Sequence, residues 1–146
     1  MAEILARRTP LRVKEAEEGD RLEAGAVYVA PPNRHLLVRP GGDLTRSESA
    51  PVHFHRPSAD LLFESVATSF GTRAIAVVLS GSGSDGAVGI RAIKSRGGMV
   101  LAQDEATSEF FGMPGAAAQT GSVDRVLALD EIGPALVTLV TGRDDG

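Results

Sequence analysis

An unbroken apolar run, Ala74 to Leu79, empties into Ser80-Gly81-Ser82-Gly83-Ser84-Asp85-Gly86, and a helix-like stretch follows as far as Gly97-Gly98. A strand with no polar face has to be covered on both sides. The run therefore calls for a parallel sheet sandwiched between helices. In open sheets of that kind, the turn that leaves the strand is where ligands bind and chemistry happens. Here the turn carries a single carboxylate, Asp85, to the start of a helix.

The rest of the chain divides near residue 57. Before it the pattern is that of short strands. Leu11 and Val13 alternate with polar residues, Ala26 to Ala30 is a short apolar run, and Pro31-Pro32-Asn33 turns the chain into His35 to Arg39. Gly41-Gly42-Asp43 turns it again, so an antiparallel meander is expected. After residue 57 helix and strand alternate. Leu62, Phe63, Val66, Ala67 and Phe70 recur at helical spacing between a Ser58 cap and Gly71. Ala87, Ile90 and Ile93 mark a second helix, and Met99 to Gln103 a strand. A short helix is expected from Pro114 to about Gly121, a strand from Val123 to Leu127, and a last helix capped by Asp130. One domain spans 1–146, with a β-rich ribbon region at 1–56, alternating helix and strand at 57–141, and a tail at 142–146.

Composition narrows the function. At 146 residues, 42% hydrophobic, the chain can bury a real core, and with five Phe, one Tyr and no Trp that core is aliphatic. A net charge of −4 and scattered basic residues argue against a nucleic-acid partner, which needs clustered Lys and Arg. The absence of cysteine rules out disulfides, thiol nucleophiles and thiolate metal sites. No stretch approaches the roughly 20 apolar residues of a membrane helix, and Met1-Ala2-Glu3-Ile4-Leu5 lacks the marks of a secretory signal. A cytoplasmic chain without membrane insertion is expected.

Three readings of the glycine turn remain open on the residues alone. Gly81, Gly83 and Gly86 spell G-x-G-x-x-G between strand and helix, with Asp104 at the end of the next strand, as in dinucleotide sites. Against this, little chain follows Asp104, and Asp85 would repel a pyrophosphate at the helix N-terminus; no cofactor is assigned. In the second reading Asp85 is the N-cap of the helix that follows it. In the third it is the acid of a Ser-His-Asp set, fixing the tautomer of a histidine.

The run Leu79 to Ala87 resembles the aspartate loop of the chemotaxis protein-glutamate methylesterases, the CheB type. Other stretches agree in order: Tyr28-Val29-Ala30-Pro31-Pro32 with His35, His55-Arg56-Pro57-Ser58 with Asp60 to Phe63, Ala102-Gln103-Asp104, Phe111-Gly112-Met113-Pro114, and Ala117 to Gly121. Ser82 stands where many members carry methionine, a form that resembles stand-alone or methyltransferase-fused relatives. The resemblance implies an α/β, parallel-sheet, three-layer methylesterase domain with an antiparallel ribbon and its amino-terminal strands missing. It implies a hydrolase that removes methyl groups from glutamyl methyl esters of chemoreceptors, with Asp85 as triad acid.

In the family the triad serine and histidine precede a helix resembling Ala2 to Arg8, so the resemblance implies an inactive chain that lacks both. It also implies partners: the receptor esters, and an upstream serine- and histidine-bearing segment or receiver domain. The alternative is a non-catalytic interaction module of the same pathway. An unpaired sheet edge left by missing strands would associate or misfold.

Of the three histidines, His35 and His55 are expected in structural hydrogen bonds and His53 in solvent. His53 and His55 have no third ligand in view, so no metal is assigned. Ser80, Ser82 and Ser84 have no histidine near in sequence to activate them. Arg56 is expected to pair with Asp60, and Phe110-Phe111 to pack in the core rather than line an ester pocket.

Overall fold

The alternation around Val13 gives a strand, β1 (Arg12–Glu15), and the run before Ala30 another, β2 (Ala26–Val29). The computed structural model of the chain describes residues 12–30, 34–47, 58–81 and 83–141. Strands β3 (His35–Val38) and β4 (Leu44–Ser47) form an antiparallel hairpin around Gly42, as the glycines at 41 and 42 imply.

β1 and β2, however, run parallel, Arg12 opposite Ala26. This corrects the meander expected for the whole region. The link between them does not close as a hairpin because it is held against the β3–β4 ribbon. Gly19 N–H bonds the Leu44 carbonyl, Leu44 N–H bonds that of Asp20, and Leu22 N–H bonds that of Gly42. Ala16, fully buried, roots the link in a small core with Leu36, Val38 and Leu44.

Helix α1 (Ala59–Phe70) begins after Ser58 and stops at Gly71, whose φ of 53° suits glycine best. Val66 and Phe70 pack against both the ribbon core and the core of the next layer. One helix thus joins the two regions.

The remaining elements alternate as expected: β5 (Ile75–Val78), α2 (Ala87–Ser95), β6 (Met99–Gln103), α3 (Gly112–Gln119), β7 (Arg125–Leu127) and α4 (Leu129–Thr141). The strands form a parallel sheet in the order β5-β6-β7, Ile75 opposite Met99 and Leu101 opposite Arg125. Neighbouring residues of β6 point to opposite faces. Val100 joins Ile90 and Ile93 on one side, while Leu101 joins Leu127, Ile132 and Ala135 on the other. Burial on both faces is what the uninterrupted apolar runs require.

Some boundaries differ from the expected ones. α3 starts at Gly112, with Pro114 in its first turn, where no backbone N–H is needed. The α4 start is held by Glu131 rather than by Asp130: the Glu131 carboxylate accepts the Ala128 N–H at 2.9 Å, and Thr107 Oγ1 accepts that of Leu129 at 3.1 Å. No helix among the described residues is long and apolar enough to cross a membrane.

Candidate active site

The loop that leaves β5 is pinned from below before it reaches Asp85. Ser80 N–H donates to Gln103 Oε1 at 2.8 Å, and Gln103 Nε2 donates to the Thr107 carbonyl at 2.8 Å. Gly81 bonds both ways with the next loop, donating to Phe110 and accepting from Met113. Asp104 closes that loop on itself, its Oδ1 accepting the Thr107 N–H and hydroxyl.

Asp85 does not cap the helix that follows it. The N-cap position of α2 is Gly86, at φ 99°, with no side-chain cap. Instead the carboxylate, 9% exposed, reaches the neighbouring helix. Its Oδ2 accepts the Ala59 N–H at 2.7 Å, and its Oδ1 accepts the Asp60 N–H at 3.3 Å and the Ser58 hydroxyl at 3.1 Å. Ser58, the N-cap of α1, makes no side-chain bond to its own helix because Asp85 takes its place. The N-terminal end of a helix dipole favours a negative charge there, and such charge-assisted bonds are stronger than neutral ones.

His35 stands beside this cap. It is fully buried at the start of β3, and its Nδ1 accepts the Ser58 N–H at 3.2 Å. An imidazole accepting at Nδ1 carries its proton at Nε2 when neutral.

The resemblance implied an inactive chain holding the triad acid alone, with serine and histidine both absent. The structure corrects this. Ser58 and His35 come from distant parts of the sequence and meet Asp85 in one buried network, so the required residue types are present. Their contacts run from aspartate to serine hydroxyl, and from serine backbone to histidine.

Beside the network a hollow of about 230 Å³ is walled by Ala30, Leu36, Leu62, Ser58, Ala59 and Asp85. A wider groove of about 650 Å³ runs past Gly83, Ser84, Phe111, Gly112 and Gly115. Phe111 lines that groove, and Phe110 is 55% exposed, so the pair does not pack in the core as expected. Ser82, His53, His55 and Arg56 lie outside the described residues. Asp60, expected to meet Arg56, accepts the Gly89 N–H. Among the described residues no three His, Asp or Glu side chains are grouped to hold a metal.

Residues 1–136 match the family model described as CheB methylesterase. The chain belongs to that family. It is 49% identical over 131 residues to a protein-glutamate methylesterase/protein-glutamine glutaminase of Koribacter versatilis, covering 88% of this chain and 36% of that protein. A putative protein of the same name from Leptospira interrogans is 41% identical, with 93% of this chain and 70% of that one covered. The fold superimposes on the crystal structure of the Thermotoga maritima CheB methylesterase catalytic domain with a TM-score of 0.91 and 35% identity, over 94% of this chain and 75% of that one. The chain spans less than half the length of several relatives it matches. The α/β fold with parallel and antiparallel parts is that of the family's catalytic domain.

Proposed function

We propose that this CheB-family chain serves the hydrolysis of glutamyl methyl esters on chemoreceptors, with Asp85 as the acid of the site. One observation carries the reading. In a methylesterase-family fold, a nearly buried carboxylate at the carboxyl end of the parallel sheet is held by three donors and shares its network with a serine and a histidine.

The reaction is acyl transfer to water. A serine oxygen attacks the ester carbonyl, an imidazole takes its proton and returns it to the departing methanol, and a carboxylate keeps the imidazole oriented. Ser58 and His35 are the serine and histidine that the network supplies. In the resting arrangement the Ser58 hydroxyl donates to Asp85 and His35 Nδ1 accepts the Ser58 N–H. Attack therefore requires the imidazole to release that N–H and the hydroxyl to turn from the carboxylate onto the freed Nδ1. The apolar hollow beside Asp85 suits a neutral methyl ester. The carboxylate product would face the Asp85 charge there, which favours its release. The relatives named as glutaminases would perform the same acyl chemistry on an amide.

Methanol release from a methylated receptor fragment by the purified chain tests the reading. Asp85→Asn is expected to lower turnover by about 10⁴-fold, and Ser58→Ala and His35→Gln by comparable factors. Full activity in Asp85→Asn, or none in the unaltered chain, overturns the proposal. Activity surviving in Ser58→Ala alone removes Ser58 as nucleophile and leaves the role of Asp85 standing.

A further inference from the structure

Helices α1 and α2 begin side by side at the site, and each start is held by a carboxylate from the other's end. Asp85, just ahead of α2, accepts the Ala59 and Asp60 N–H groups of α1. Asp60, in the first turn of α1, accepts the Gly89 N–H of α2 at 2.8 Å in a buried bond. Gly89 is the third residue of α2, so its N–H has no partner within its own helix. A side chain at 89 would stand 2.7 Å from Phe63 Cβ and 3.0 Å from the Asp60 backbone. The two helices touch there almost backbone to backbone. A shift of α2 against α1 would stretch both carboxylate bonds together.

We propose that Asp60 is a positioning residue for the reaction: through Gly89 it fixes α2 against α1, and so holds Asp85 on the helix start where it works. This rests on Asp85 being the acid. Asp60, itself 5% exposed, touches no part of the open groove, so its effect passes through the helix pair rather than through substrate. The acceptor is what matters, not the charge. An amide oxygen at the same place can take the Gly89 N–H.

Two measurements on the full chain test this. In Asp60→Ala, kcat for ester hydrolysis is expected to fall at least about tenfold with KM within about twofold, since misplacement of a working group acts on turnover rather than binding. Amide exchange at Ala59 should quicken by about tenfold while that at Val100 in β6 stays as it was. Asp60→Asn should restore most of both. If Asp60→Ala does not fold, Asp60→Glu, which moves the acceptor by one methylene, takes its place with the same drop expected. Unchanged kcat in the Ala or Glu variant overturns the proposal, as does a rise in KM at constant kcat. An Asn variant no better than Ala also overturns it. If Asp85→Asn keeps full turnover, the parent reading has failed instead. Ala59 exchange then decides for the helix linkage alone, and an unchanged rate in Asp60→Ala ends it.

Discussion

In residues 12–30 and 34–47 a small core of Ala16, Leu36, Val38 and Leu44 is supplemented at the surface by charge. Arg12 pairs with Glu23 at 2.6 Å, Lys14 with Asp20 at 3.0 Å, and Glu18 accepts the Arg46 N–H and the Thr45 hydroxyl. In residues 75–141 the sheet is held by aliphatic burial on both faces, with Ile90, Ile93, Val100 and Leu101 fully buried. The difference assigns each region its own sensitivity. Packing faults should be costly in the sheet, while pH and salt should act first on the ribbon. The candidate site lies where the two meet, with His35 from the ribbon, Ser58 from the cap of the joining helix and Asp85 from the loop that leaves the sheet.

The largest effect should come from Ile93→Ala. Removing a fully buried branched side chain leaves a cavity that close packing cannot refill, at a cost of about 4 kcal/mol. Denaturant unfolding measures it, and a loss below about 1 kcal/mol would mean that the sheet core is looser than its burial indicates. Gly89→Ala should follow at about 2 kcal/mol, because the new methyl meets Phe63 and the Asp60 backbone. It should also lower turnover, since it forces apart the helices that Asp85 bridges. A variant as stable and active as the parent would break the argument for close helix approach.

A smaller effect belongs to the sheet's own ion pair. Asp124 accepts the Val100 N–H at 2.8 Å and the Lys94 ammonium at 2.5 Å, tying the end of α2 to the start of β6. Burial alone would push its carboxyl up, but these two hydrogen bonds and the Lys94 charge outweigh it and hold it below the usual range. Asp124→Asn should cost about 1 kcal/mol by the same unfolding measurement. An unchanged midpoint would place the pair among surface contacts that contribute nothing.

The contrast between regions also explains what could be read from sequence. The sheet half was legible because its elements announce themselves locally: Ala74 to Leu79 and Met99 to Ala102 are apolar throughout, and Gly71 and Gly97 stop helices where they stand. The ribbon was less so. Whether β1 and β2 pair parallel or antiparallel depends on bonds from Gly19 and Leu22 to the β3–β4 hairpin, which no spacing reveals. The site was half legible. Asp85 stood out by its loop, but that it caps α1 rather than α2, beside Ser58 and His35, depends on the approach of two helices. The one local hint was Gly89, a glycine inside a helical pattern, which signals close contact with a neighbour.

The smallest effect expected is the most specific to the ribbon. The backbone N–H of Arg46 and the Thr45 hydroxyl hold the Glu18 carboxyl below its ordinary value, and the backbone N–H of Glu17 with the Lys14 ammonium does the same for Asp20. A depressed carboxyl adds stability that is fully present above its unfolded pKa, about 4, and is lost as pH falls through the folded value. Arg12 and Lys14 lie above their ordinary values, chiefly through the hydrogen bonds they donate to Glu23 and Asp20 respectively. The Lys14 contribution is fully present below its unfolded value, about 10.5, and is lost as pH rises through the folded value, while that of Arg12 persists to still higher pH. The ribbon should therefore be most settled between these limits. Because these groups are at the surface, screening keeps the effect small, and added salt should weaken it further. Amide exchange at Val13 and Val27 should quicken on going from pH 6 to pH 3.5, after correction for intrinsic rates, before Val100 and Leu101 respond. Simultaneous loosening of both regions would show that the ribbon does not rest on its charges at all.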